Sequence, residues 1–472
     1  MSALGGYVMN KRKFIQRLEI IGTFVLGIQV LPNTAQAAGF AILEQDVKSL
    51  GNAFAGTAAR ADSAGTVFFN PAGMTHFHGD VFQMNGTVIV PSAEFSDGGS
   101  RQVLGARTLP LRGGDGGDAG VLAGIANGYL IHSFNDRLKF GIGFNAPYGL
   151  LTKYDDNWRG RYHAIDSSLF TININPSLAF KVTDWMSIGA GFNVQYAEVF
   201  LSNALDFSTI CLGRPTATAR QALVQQAQCR GLGLATPGNP ATDGLVKLTG
   251  DDWGYGYNVG VLLEPLPTTR IGIHYRSQVF HRIQGNANFT SPSARFAAAT
   301  GLFQDTGVTA KLTLPDTATI SLYHELPNHL ALMADFTWTN WSDFQQLDVN
   351  FANPRQPNST VPFKWEDSYR VAVGATYSPT GPYSFRAGFA YDQTPIPSAD
   401  LRSPRVPDED RYWLAFGLGY QFSKTIGLDF SYAHLFVDEA KINNLDPTGH
   451  LLAGTYDSSV DIVGLQLNWQ MR

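Results

Sequence analysis

The feature that most constrains this chain is a two-residue alternation that begins at Gly79 and recurs to the C-terminus. One stretch puts Tyr412, Leu414, Phe416, Leu418, Tyr420 and Phe422 on one face and Arg411, Trp413, Ala415, Gly417, Gly419 and Gln421 on the other. A period of two belongs to strands, whose successive side chains point to opposite faces. The same division sets Tyr369, Val371, Val373, Ala375 and Tyr377 against Arg370, Ala372, Gly374 and Thr376, and Tyr383, Phe385, Ala387, Phe389 and Tyr391 against Ser384, Arg386 and Gly388. Aromatic residues bracket each apolar face, as they do where lipid-facing strands cross the two membrane interfaces. A soluble β-sandwich alternates too, so the pattern by itself leaves that architecture open.

Composition narrows the choice. Hydrophobic residues make up 44% of the chain and charged residues 15%, against about 25% charged in an average soluble protein. No segment after the N-terminal region approaches the roughly 20 apolar residues of a helical span. The 49 glycines and 12% aromatics suit a barrel with glycine-rich turns and aromatic girdles.

Alternating segments lie near 79–95, 121–132, 138–146, 165–181, 186–207, 246–264, 270–289, 310–325, 329–351, 361–378, 382–397, 405–421, 425–442 and 452–471. The expected fold is all-β, an antiparallel transmembrane barrel of about fourteen strands, an even number as bacterial single-chain barrels require. Tight links such as Pro265-Leu266-Pro267, Pro327-Asn328, Thr380-Gly381 and Ser423-Lys424 alternate with long polar ones, which puts the short turns and both chain ends in the periplasm. The barrel has to close, because an open edge in hydrocarbon has no water to satisfy its N–H and C=O groups. The last segment ends on Arg472 instead of the terminal aromatic usual in outer-membrane chains.

Residues 1–37 read as a cleavable signal peptide: Lys11-Arg12-Lys13, an apolar run of twelve residues from Ile20 to Leu31, then Ala35-Gln36-Ala37. Met9 just before the basic cluster would give a more usual leader. Cleavage after Ala37 takes the formal charge from −5 to −8. The remaining basic residues are scattered singly, so nucleic acid is not an expected partner. Cys211 and Cys229 fall in one loop-like stretch of an exported chain, where a disulfide persists, and pairing is expected; two free thiols are the alternative. They do not make a metal site without nearby histidines. No nucleotide-binding motif or other cofactor signature is present. His132, His163, His274 and His281 are scattered singly and no Gly-x-Ser-x-Gly occurs, so an enzyme is not expected.

Residues 38–78 lack the alternation and read as short helices and turns. A barrel of this size leaves an open channel unless something fills it, and this compact segment is the expected plug, with residues 79–472 forming the barrel. Asn70-Pro71-Ala72 fits a capped short helix with proline at its first position. Together with Ala38-Gly39-Phe40, Gly51, Gly56 and Ala61-Asp62-Ser63-Ala64-Gly65, it resembles the hatch of the FadL family of outer-membrane hydrophobic-compound transporters. The resemblance continues in Trp253-Gly254-Tyr255-Gly256, Tyr275-Arg276-Ser277, Trp341-Ser342-Asp343-Phe344-Gln345-Gln346-Leu347, Asp367-Ser368-Tyr369-Arg370 and Pro407-Asp408-Glu409-Asp410-Arg411-Tyr412-Trp413.

The resemblance implies a fourteen-stranded barrel with an N-terminal hatch, passing a hydrophobic small molecule to an internal pocket and sideways through the wall into outer-membrane lipid. It implies that Phe40 lies in or beside the pocket, that Asn70, Pro71 and Ala72 hold the hatch, and that Gly149, in Tyr148-Gly149-Leu150, kinks the third strand to make the lateral opening. Long-chain fatty acids are the expected substrate and Lys364 the expected basic partner. The segment after Gly191-Phe192-Asn193 carries no Lys or Arg, which leaves neutral or aromatic hydrocarbons as an alternative. A general diffusion porin is the alternative of another class, and a monomer is expected. The inward Arg370, Arg386, Arg411, Asp335, Asp392 and Asp429 are expected to pair with one another, since a lumen charge needs a counter-charge.

Overall fold

The computed structural model describes residues 39–104, 107–213 and 217–471; the expected signal peptide lies outside the described residues. Fourteen antiparallel strands run in chain order: β1 (Asp80–Asp97), β2 (Ala123–Ser133), β3 (Leu138–Asn145, then Gly149–Lys153), β4 (Asp166–Thr183), β5 (Met186–Asp206), β6 (Asp243–Leu266) and β7 (Thr269–Arg276, then Val279–Thr290). They continue as β8 (Thr306–Leu314, then Thr317–Leu326), β9 (Leu330–Thr339, then Gln346–Phe351), β10 (Ser359–Pro362, then Ser368–Tyr377), β11 (Tyr383–Asp392), β12 (Arg411–Gln421), β13 (Ile426–Val437, then Ala440–Leu445) and β14 (His450–Met471). β14 pairs back onto β1 from Asp80↔Met471 to Asp97↔Gly454, which closes the barrel. The alternation puts Leu414 and Phe416 outside at 41% and 51% exposure while Trp413 and Ala415 between them are fully buried.

Six strands are interrupted, a feature the alternation does not reveal. The breaks at 146–148 and 315–316 contain Pro147 and Pro315, which have no N–H to give to a ladder. Those at 340–345 and 363–367 turn Trp341, Phe344, Phe363 and Trp365 into the interior.

The segment from Gly39 to His78 occupies the lumen as helices α1 (Val47–Leu50), α2 (Thr57–Arg60) and α3 (Thr66–Phe69), followed by a 3₁₀ turn, Pro71–His76. The backbone of this plug rests directly on strand glycines. A Cβ at Gly272 would stand 2.0 Å from the Ala58 carbonyl oxygen, and one at Gly388 would stand 2.1 Å from the Asn52 carbonyl carbon. Only glycine admits such an approach. Asn70 accepts from the Ala72 N–H (3.1 Å) to cap the 3₁₀ turn, and its Nδ2 donates to Ala58 O (2.7 Å) and Val261 O (3.0 Å), tying helix α2, the turn and strand β6 together.

The lumen charges divide differently from the expectation. Arg386 and Asp429 pair with each other (2.8 Å), but Arg370 donates to Ala53 O (2.6 Å). Asp335 accepts from the Thr57 N–H and hydroxyl of the plug (3.2 and 3.0 Å), and Arg411 pairs with Asp408, outside the expected set. A plug full of backbone N–H and C=O groups supplies counter-dipoles that a hollow lumen would lack, so these charges anchor it. The β5–β6 connection is no simple loop. It carries α4 (Phe207–Leu212) and α5 (Ala219–Gly231), and Cys211 and Cys229 are joined in a disulfide between them with Cα atoms 6.0 Å apart.

Candidate functional site

Phe40, 3% exposed, sits where the strand breaks converge. Its ring meets Trp341 edge-on with centroids 4.6 Å apart, and Phe344 and Trp365 at 5.4 Å each. On its other side is an apolar cavity of about 100 Å³, lined among others by Leu150, Leu169, Val199, Ile283 and Leu312. An apolar cavity of roughly 150 Å³ accepts benzene, so the space beside the seated Phe40 takes only part of a long chain. A chain seated more deeply on that side has to displace the Phe40 ring, which lines it.

The wall next to this cavity is parted. Among the described residues the β2–β3 ladder runs only from Ser133↔Lys139 to Gly128↔Phe144, and contact resumes at a single bridge, Gly120↔Thr152. On the other side, β3 is in register with β4 up to Asn145↔Asn173 and again from Gly149↔Phe170. Ala146-Pro147-Tyr148 therefore opposes only two residues of β4, and this bulge bends β3 away from β2. Gly149 is the first residue beyond the bend.

The plug seals that parting with its own backbone. Ile42 N–H donates to Pro147 O (2.9 Å), Gly149 N–H donates to Phe40 O (2.9 Å), and Ala41 bridges Tyr148. Gln45 Nε2 donates to Ala146 O (2.8 Å), and from the β2 side Asn127 Nδ2 donates to Glu44 O (2.9 Å). The stretch 40–45 thus closes the cavity with Phe40 and fills the wall gap with the residues that follow. Glu44 beside it is 2% exposed; burial raises its carboxyl to about 7 against the opposing pull of its own backbone hydrogen bond and of Arg411 and Arg370.

Lys364 is exposed and does not border the cavity. Its neighbours Phe363 and Trp365 take the buried positions (4% and 1%), and Lys364 itself turns outward at φ 48°. The cation at the cavity is Arg405, from the β11–β12 connection, and Val406 lines the cavity beside it. Arg405 donates to Ser167 Oγ (2.9 Å), Asn203 Oδ1 (3.2 Å) and the carbonyls of Asp166 and Ser202 (3.4 Å each). Among the described residues no carboxylate lies within 4.0 Å of its guanidinium. Burial pulls the guanidinium down to about 10, with Asp166 opposing. The sequence signal for Arg405 is slight: Ser403-Pro404-Arg405-Val406-Pro407 holds one arginine between two prolines in a long connection.

The family described as "Outer membrane protein transport protein (OMPP1/FadL/TodX)" matches residues 28–471. The long-chain fatty acid transport protein of Escherichia coli K12 is 29% identical over 430 residues, covering 89% of this chain and 92% of that one. Among solved structures, a Pseudomonas aeruginosa FadL homologue superposes with a TM-score of 0.82 at 26% identity, covering 92% of this chain and 100% of that one. The Ralstonia pickettii toluene transporter TbuX shares the fold at 19% identity, with a TM-score of 0.62 over 92% of this chain and 99% of that one. A closed fourteen-stranded barrel, a lumenal plug and a match over nearly the whole chain make this protein a member of the FadL/TodX family of outer-membrane transport proteins.

Proposed function

We propose that this protein carries long-chain fatty acids across the outer membrane, binding the chain behind Phe40, shifting the plug and releasing the acid sideways through the parting at Gly149. The observation that supports this most is that one stretch, Phe40 to Gln45, both closes the apolar cavity and fills the gap in the wall. Entry of a chain that removes Phe40 then unseals the exit by the same movement. Burial of each CH₂ is worth about 0.8 kcal/mol, so a long chain brings enough binding energy to move an aromatic ring from its cluster. The Escherichia coli relative is named for long-chain fatty acids, and an arginine without a carboxylate partner at the cavity favours an acid over a neutral ligand.

In this reading residues 1–37 are a cleaved leader, residues 38–78 the hatch and residues 79–472 a monomeric barrel in outer-membrane lipid, a transporter and not an enzyme. Asn70, Pro71 and Ala72 hold the hatch fold, and the Cys211–Cys229 disulfide steadies the outer cap. The aromatic cluster around Phe40 supports a second reading, in which a neutral aromatic hydrocarbon is the cargo. A water-filled porin is disfavoured because the plug fills the lumen.

The test is a double variant, Ala41→Cys with Tyr148→Cys, at the bridged pair across the gap. Opposed residues of an antiparallel pair have Cα atoms about 4.5–5.5 Å apart, within disulfide range. The expected result is uptake of a long-chain fatty acid that stops on oxidation and returns on mild reduction. Unchanged uptake by the oxidised protein would overturn lateral release.

A further inference from the structure

Among the described strand pairs, one alone sets two cations directly opposite each other: Arg282 of β7 against Lys311 of β8. Both side chains are exposed, while Ile283 and Leu312, the next residues on each strand, are buried in the interior. The pair therefore points out of the barrel. Like charges directly opposed across two strands destabilise a sheet, and the protein itself does not neutralise these. Among the described residues no carboxylate lies within 4.0 Å of either cation. Asp348 stands beside Lys311 on β9, since Ala310 pairs with Val349, but its carboxylate accepts from Thr360 Oγ1 (2.6 Å) and Gln346 Nε2 (2.7 Å). Asp252 accepts only the backbone N–H of Arg282 (2.8 Å). On the other flank Glu198 of β5 and Asp251 of β6 are opposed to each other and exposed on the same outer wall.

The height of the pair follows from the strands. A tilted strand crosses the hydrocarbon in about 9–11 residues. Arg282 is thirteen residues on from Thr269, at the short β6–β7 turn, and Lys311 is fifteen residues short of Leu326, at the short β8–β9 turn. Short turns face the periplasm in bacterial barrels, so both cations clear the hydrocarbon at the outer leaflet. Below them the same wall is apolar, with Phe280 and Ile273 exposed on β7 and Ile320 and Leu322 on β8. Above them it carries amides, Gln284 and Asn286, also exposed.

We infer that Arg282 and Lys311 hold a phosphate of a glycolipid in the outer leaflet. The order of chemistry up the wall matches such a molecule: apolar side chains for its acyl tails, two cations for its phosphate, amides for its sugar hydroxyls. Opposed residues have Cβ atoms about 4.5–5.5 Å apart, close enough for one phosphate to accept from both, with the guanidinium fork binding two of its oxygens. The carboxylates of Glu198, Asp251 and Asp348 bound the patch on both sides, so it takes one compact anion and not a broad anionic surface. Because Ile283 and Leu312 line the interior cavity, the lipid would sit against the outside of the two strands that form one side of it. A free phosphate ion offers the same oxygens to the cations but nothing to the apolar wall below them.

The test uses the full-length barrel in nonionic detergent, with diphosphorylated lipid A, the same lipid stripped of its phosphates, or inorganic phosphate. Native mass spectrometry counts bound lipid, and the temperature at which the barrel loses its folded migration on a gel gives stability. The parent is expected to bind the phosphorylated lipid roughly tenfold more tightly than the stripped one. The double variant Arg282→Gln with Lys311→Gln should bind both alike, while Arg220→Gln, an exposed arginine on α5, should match the parent. Stability adds a readout that misfolding cannot imitate. Without lipid, Lys311→Gln should melt at or above the parent, because it removes a repulsion; with saturating phosphorylated lipid the parent should melt higher. Equal binding of the two lipids by the parent, a preference that survives in the double variant, an equal loss in Arg220→Gln or an order of melting that does not reverse overturns the site. Displacement of the lipid by inorganic phosphate at equal concentration overturns the lipid as occupant and leaves a free-anion site.

Discussion

Replacing Gly272 with alanine probes the plug without touching the cavity. The new methyl would lie 2.0 Å from Ala58 O, 2.2 Å from Ala58 C and 2.7 Å from Ala59 N. A carbon needs about 3.3 Å or more from a carbonyl oxygen, so helix α2 has to lift by roughly 1.3 Å. Bonds that tie α2 to the wall and to the turn then stretch beyond hydrogen-bonding range: Thr57 N–H and hydroxyl to Asp335, Ala58 N–H to Ser321 Oγ (3.1 Å) and Asn70 Nδ2 to Ala58 O (2.7 Å). At about 1 kcal/mol for a neutral bond and more for those to a carboxylate, the seated plug loses on the order of 5 kcal/mol. The barrel is spared, since Gly272 keeps its ladder partners Leu262 and Ser321. Two assays report the outcome: single-channel conductance in planar bilayers, and trypsin cleavage after Arg60, which is 3% exposed and paired to Asp62 and Asp46 in the seated plug. Gly272→Ala should conduct more and be cut at Arg60, while Gly86→Ala, where a Cβ meets nothing within 4 Å, should match the parent. A Gly272→Ala barrel that is correctly closed, trypsin-resistant and unchanged in conductance would refute the backbone-on-backbone seating.

Other outcomes follow from the same geometry. Deleting residues 39–78 should raise single-channel conductance well above that of Gly272→Ala; a deletion with parental conductance would mean the segment does not block the lumen. Ala310→Trp, which fills the cavity from β8, should abolish fatty-acid binding by tryptophan quenching without altering trypsin resistance, whereas retained binding would move the site elsewhere. Lys364→Ala should leave fatty-acid affinity unchanged, and a tenfold loss would return Lys364 to the site. Glu44, raised from an ordinary 4.5 to about 7 in the seated plug, binds its proton more tightly there than when displaced. Seating is therefore strongest below about 4.5 and weakens as pH rises to 7, by on the order of 3 kcal/mol. Conductance should rise between pH 5 and 8 in the parent and stay flat in Glu44→Gln.

How far the sequence alone reached depends on how local each signal is. Alternation is repeated in every strand, so the barrel and its lipid-facing side were legible from Tyr412 to Phe422 onward, and the plug stood out as the segment that breaks the pattern. The interruptions were not, because each depends on a handful of residues: Pro147 and Pro315 explain two of them, but nothing in 340–345 announces that Trp341 and Phe344 turn inward. Phe40 was reached only through a resemblance, since one phenylalanine near an N-terminus has no periodic signature. Lys364 lies off the cavity beside Phe40 for a definite reason: Phe363 and Trp365 on either side take the buried positions, and the charged residue between them takes the outer one. Arg405 carries no local signal of its place, because its partners come from β4 and β5, some 200 residues earlier in the chain.

The glycine seats have a consequence for repeated use. A joint made by side chains has to re-sort rotamers each time it parts and re-forms, and ordering a long side chain costs up to about 2 kcal/mol. Where Ala58 lies on Gly272 and Asn52 on Gly388, there are no rotamers to sort. At those two seats the contact re-forms without ordering a side chain, so a plug that shifts during transport meets the same surface on its return.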